Sequence, residues 1–247
     1  MTDWTLPGSI AILSAAGFVH GLFGIGFAMI ATPLLALFLD YRAAVLLAAL
    51  PLLVMAASWL VVHRDRLRGS GLPVSLLPAI AVGATVGTVL QASLPEQVSL
   101  VLLAGALTGS VVMSVLLERP RAARATLAGW APPAFGTLAG VTESALNVGA
   151  PLMVLYGALA RLDRVRALIA LNVCFALGKT IQIGLMQASG LPRVSWLALG
   201  AGTAASLLAF HVGDAMASRF PEVRFRIAFR CFLVAISATL VLRALYL

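Results

Sequence analysis

Charge is scarce in this chain, and one kind of charge is almost missing. Of 17 basic residues a single one, Lys179, is a lysine. Charged residues make up 11% of the chain and hydrophobic residues 61%, whereas a soluble domain is about one quarter charged. Over 247 residues that balance excludes one greasy soluble core and implies a polytopic membrane protein. The two cysteines, Cys174 and Cys231, sit in apolar runs without a CxxC partner, so neither a disulfide nor a metal site is indicated. HExxH, GxSxG, a phosphate loop and Cys/His clusters are all missing, which indicates no enzyme class and no cofactor. An aromatic-rich basic patch is missing too, so no nucleic-acid partner is expected. Residues 1–17 end in SAAG but lack a basic leader, and the apolar run continues past them, which argues against a cleaved signal peptide.

What the chain does have is apolar length, interrupted twice. Residues 10–39 and 127–159 are too long for one simple crossing and too short for two. Each carries glycines, polar residues and a proline in its middle: GFVHGLFGIGFAMIATP at 17–33 and FGTLAGVTESALNVGAP at 135–151. Each is followed by three plainer spans, at 43–62, 73–91 and 97–117 in the first half and 165–186, 196–211 and 229–245 in the second. This predicts an all-α polytopic membrane protein of two repeats, 1–121 and 122–247, each a broken or re-entrant segment plus three transmembrane helices. Pro33-Leu34-Leu35 aligns with Pro151-Leu152-Met153, Tyr41-Arg42-Ala43 with Val165-Arg166-Ala167, and Gly83 falls close to Gly202. Small-xxx-small spacing at Ala79, Gly83 and Gly87 would let a neighbouring helix approach closely. Such faces pack within one subunit or between two, so a homodimer is one arrangement they allow.

The arginines set the orientation. Connections at 63–68, 119–124, 161–166 and 219–230 are Arg-rich, whereas 40–42, 94–97 and 189–193 are not. Basic short loops stay in the cytoplasm. All the Arg-rich loops share that side only if the second broken segment enters and returns to one face. Three spans per half then turn the second half upside down, as in inverted-repeat transporters. Eight simple spans are the competing layout. In the re-entrant layout the two tips meet near the midplane, and their helix N-termini offer N–H groups to an anion.

Few residues could carry chemistry there. Lys179 lies well inside a span, where an ammonium is costly without a partner or cavity. With Asn172, Phe175, Gln182 and Met186 it forms one helix face. Glu143 is the one carboxylate well inside an apolar region, suited to carrying a proton or to pairing with Lys179. Ser144 and Asn147 beside it can donate to anion oxygens, or cap the helix break instead. His20 sits among the glycines of the first break, where Gly24 and Gly26 permit a tight tip. Expected substrate contacts are therefore His20, Gly24, Gly26, Ser144, Asn147, Lys179 and Gln182, with Glu143 as the proton carrier. A snorkelling Lys179 and a structural His20 are the bland alternatives.

The run Gly17, Gly21, Gly24, Gly26, then Pro33-Leu34-Leu35, resembles the N-terminal signature of the sulfite exporter TauE/SafE family. The length, the two-half layout and the small-residue span around Gly83 and Gly87 are also similar. The second signature maps to Gly140, Gly149 and Pro151. The resemblance implies an exporter of sulfite, sulfonates or related small anions in the bacterial inner membrane. The chain departs from the family pattern at Phe27 and at Glu143-Ser144-Ala145, where members carry glycines, and Asn147 follows the second departure. A carboxylate importer, an intramembrane enzyme and a scaffold are the other readings the residues leave open.

Overall fold

The computed structural model describes residues 5–118, 129–192, 194–219 and 222–247. The basic stretch 119–124 and Arg193 lie outside the described residues. Every regular element among the described residues is helical. In chain order they are α1 (Thr5–Phe23), α2 (Phe27–Leu35), α3 (Tyr41–Val62), α4 (Arg64–Arg68), α5 (Leu76–Ser93), α6 (Glu96–Leu117), α7 (Ala131–Leu146), α8 (Ala150–Leu159), α9 (Arg164–Ser189), α10 (Trp196–Met216) and α11 (Glu222–Tyr246). Seven of these are long and apolar enough to cross a membrane. Both over-long apolar regions are interrupted where the glycines and Asn147 fall, giving the pairs α1–α2 and α7–α8. Of these four helices only α1 is long enough to cross.

The interruptions have a backbone cause. Gly24 and Gly26 adopt φ of 74° and 106°, and Asn147 adopts φ 56°. A left-handed residue closes a helix, and after glycine asparagine is the residue that tolerates it best. Asn147 N–H returns to the Glu143 carbonyl at 3.0 Å, and Gly24 N–H returns to the His20 carbonyl at 2.7 Å. Asn147 thus does in the second break what Gly24 does in the first.

The helices pack as two intimate pairs, α1 with α10 and α5 with α7. Glycine makes both possible. A Cβ at Gly17 or Gly21 would overlap the carbonyls of Ser206 or Phe210, and one at Gly83 or Gly87 those of Thr137 or Val141. Gly213 meets Phe18 and Gly140 meets Ile80 in the same manner from the other side of each seam. Between the pairs, α3 and α9 pack on each other and are the most buried spans. The outermost spans, α6 and α11, also pack together.

Polar contacts fix the two ends. At one end Tyr41 N–H and Arg243 both reach Glu96, and Arg243 also bonds the Leu39 carbonyl. Arg42 bonds the Ala92 carbonyl beside them. At the other end Phe23, Trp59, Arg164, Asp214 and Ala217 share one pocket, and Phe23 stacks on Phe225.

Residues matched in sequence between 1–121 and 122–247 take different local positions in three places. Pro33 is the seventh residue of α2, while Pro151 is the second of α8, so the prolines occupy different turns. The N-caps Asp40 and Asp163 each accept from the third residue on, which puts Tyr41 and Arg164, not Tyr41 and Val165, directly after a cap. Gly83 backs onto a carbonyl of α7, whereas Gly202 meets only the Leu13 side chain; the backbone contact in α10 is made by Gly213.

Candidate functional site

A polar cluster lies where α7, α8 and α9 meet. Lys179, Glu143, Ser144, Asn147 and Gln182 are all buried. Lys179 does not snorkel; its Nζ is ringed by oxygen. The Glu143 carboxylate is 2.8 Å away as an ion pair, the Glu143 carbonyl 2.8 Å, Gln182 Oε1 2.9 Å, and Asn147 Oδ1 closes the ring. Three ammonium protons and four oxygens leave this cation fully satisfied. An unpaired charge here would be very costly, and a pair is tolerated only with such additional hydrogen bonds.

Glu143 does a second job. Its Oε2 accepts from Gly149 N–H at 2.8 Å, at the start of α8. The helix terminus expected to await an anion therefore already holds the chain's own carboxylate. Gly149 makes room for it, since a Cβ there would lie 2.6 Å from Glu143 Cβ.

Asn147 Nδ2 donates to Thr32 Oγ1 at 2.8 Å and lies 3.4 Å from the Val45 carbonyl, joining the second break to α2 and α3. Tyr41 OH donates to the Ala145 carbonyl at 2.7 Å. Gln182 Nε2 donates to the Ser144 carbonyl at 2.6 Å and lies 3.5 Å from Gln91 Oε1. The hydroxyl of Ser144 and the Nε2 of Gln91 have no partner among the described residues.

The two breaks share a cavity. His20, Gly26, Phe27, Glu143, Asn147 and Phe175 line a space of ≈ 10 Å³ for the centre of a water-sized sphere, about enough for one water. His20 is buried against Phe27, Phe175 and Phe210, with ring centroids 6.4, 6.2 and 5.6 Å away, and its Nδ1 has no partner among the described residues. On its other side His20 lines a vestibule of ≈ 60 Å³ with Gly21, Gly24, Trp59, Arg164, Asn172 and Asp214. A third space, ≈ 220 Å³, lies at the opposite end and is lined by Asp40, Tyr41, Arg42, Gln91, Glu96 and Ser99.

The predicted residues thus gather, apart from Gly24, around one centre, with Gly24 at its inner approach. Sequence reasoning missed Thr32, Tyr41 and Gln91. Gln91 carried the same signal as Gln182, an amide at the end of an apolar run.

Seven bilayer-length helices around a buried, neutralised ion pair define a multi-pass membrane protein with a polar centre. The chain belongs to the sulfite exporter TauE/SafE family, whose profile matches residues 9–240. Members are transporters of the bacterial inner membrane rather than enzymes, and this protein is a multi-pass transporter of that membrane. No curated protein and no solved structure matches the chain.

Proposed function

We propose that the protein moves a small anion, of the sulfite or organosulfonate class, together with a proton. The observation that carries this reading is the Glu143–Lys179 pair on the start of α8. Lys179 and the Gly149 N–H already hold one anionic group, supplied by the chain itself. A substrate anion that takes the place of the Glu143 carboxylate leaves that carboxylate without its cation. Protonation of Glu143 removes the conflict, because the site then again holds one negative and one positive charge. Net neutrality keeps the desolvation cost low, so anion and proton travel as a unit. Ser144 Oγ, Asn147 and Gln182 would orient the anion, and the gradients set whether it leaves or enters.

The path runs through the three spaces. The anion enters the Arg164 vestibule, passes His20, exchanges at Lys179 and leaves between Gln182 and Gln91 toward Arg42. A one-water centre does not hold a sulfur oxyanion as it stands, so both constrictions must open in turn.

An inverted-repeat layout with re-entrant pairs supports such alternation. α1 runs alongside α10 from Gly202 to Asp214, and α2 leads back to Leu39. α7 starts beside Leu76, reaches Val45 and Gln182 at Asn147 and Ser144, and α8 leads back to Arg164. Each pair then returns to the end from which it came, the two pairs from opposite ends. The halves 1–121 and 122–247 would be the moving units.

Reconstituted protein tests the coupling. Sulfite flux into liposomes should rise with an inward proton gradient in the wild type and lose that dependence in Glu143→Gln. Equal wild-type flux with and without the gradient would refute proton coupling.

A further inference from the structure

A further cavity plays no part in this path. It measures ≈ 290 Å³ and opens between α6 and α11, with α2 and α8 at its back. Its interior is apolar, formed by Met29, Met113, Pro151, Val154, Phe229 and Leu233. Its rim is charged: Arg226, Arg230 and Glu118. Arg230 is committed, giving Nε to Ser114 Oγ at 2.7 Å, and reaching Glu118 and the Ser114 carbonyl with its remaining nitrogens. Arg226 contributes only Nη1 to Glu118, at 3.0 Å, among the described residues. Among the described residues two guanidiniums therefore face one carboxylate, and that part of the rim keeps one positive charge with spare N–H donors.

The geometry points to a binding site for an anionic phospholipid, its acyl chain in the cleft and its phosphate on Arg226. Three observations favour this occupant over a free anion or a protein. The charge is of the complementary sign and stands at the end of two spans, where headgroups lie. The adjoining faces of α6 and α11 expose Val112, Val115, Leu116, Ile227 and Val234, an apolar wall suited to acyl chains. The interior offers an anion nothing beyond its rim, while a tail would fill it. Met29 and Ala150 line both this cleft and the central cavity. A lipid seated here would touch α2 and α8 from behind, at the first turns of each.

Native mass spectrometry of the purified full chain would test this, with added phosphatidylglycerol or phosphatidylcholine of identical acyl chains. Wild type should retain phosphatidylglycerol about fivefold more, the worth of one basic residue at a charged surface. Arg226→Gln should remove that preference, and Ser110→Phe, which fills the cleft, should lower retention of both lipids. Glu118→Gln should raise phosphatidylglycerol retention, which keeps a test available if Arg226→Gln folds poorly. Glycerol phosphate without tails should neither bind nor compete. Equal retention of the two lipids by wild type, or a preference untouched by Arg226→Gln and unaltered by Glu118→Gln, overturns the proposal. Competition by glycerol phosphate would do the same, reducing the site to its rim.

Discussion

At the scale of the residue, the centre is a set of obligations around Lys179. Removing one member of a buried pair strands the other, at a cost of about 3–5 kcal/mol. Lys179→Met should therefore lower stability by that order in a thermal melt. The double variant Lys179→Met/Glu143→Gln should recover most of it while remaining inactive in transport. A double variant that stays as unstable as the single one would mean the pair is not the cause. His20 differs, because its Nδ1 holds no partner among the described residues. His20→Phe should leave the melting temperature within the range of an ordinary surface change and still block flux; unchanged flux would remove His20 from the path. Lys179, Glu143, Asn147 and Gln182 were legible in the sequence because polar groups are costly in an apolar run and few survive there. Tyr41 and Thr32 were not, since a tyrosine at a span end and a threonine before a proline each have a common bland role.

At the scale of the element, the seams α1–α10 and α5–α7 rest on absent side chains. Gly17→Leu or Gly140→Leu would force backbones apart that now touch. Overpacking of this kind costs about 1–3 kcal/mol, readable as a lowered melting temperature. Gly200→Leu, where nothing lies within reach, should cost little by comparison. The α6–α11 seam answers to pH. Hydrogen bonding from Arg230, with its charge and that of Arg226, holds the Glu118 carboxyl below its ordinary value. A lowered carboxylate adds stability above the unfolded-state value and loses it as pH falls through the folded-state value. The melting temperatures of wild type and Glu118→Gln should therefore converge in acid and separate toward neutrality, with wild type higher. The breaks themselves were readable from glycine. The turn each proline occupies was not, because proline is common both at the start of a helix and near its end. Pro151 starts a helix, where its missing N–H costs nothing, while Pro33 sits near the end of one.

At the scale of the whole molecule, apolar length and polar interruptions were enough to read the class and the centre. The side-by-side course of α1 with α10 and of α5 with α7 was not readable, because periodicity says which face is small and not which neighbour it meets. Labelling checks the layout. In a background with Cys174 and Cys231 replaced, Trp130→Cys and Arg166→Cys should react with an impermeant thiol reagent from one side of the membrane. Ser93→Cys should react from the opposite side. Labelling of Trp130→Cys and Arg166→Cys from opposite sides would make α7–α8 a single broken crossing and end the re-entrant reading.

The solitary lysine has a practical corollary. Every other basic side chain is arginine or histidine, so Lys179 carries the only side-chain amine in the protein, and it is fully buried. An amine-acylating reagent small enough to follow the substrate would therefore leave the resting side chains untouched and, beyond the increment at the backbone α-amine, add one more at Lys179 Nζ when the centre opens. The rate of that single mass increment, with and without sulfite, becomes a clock for the transport cycle without any engineered label.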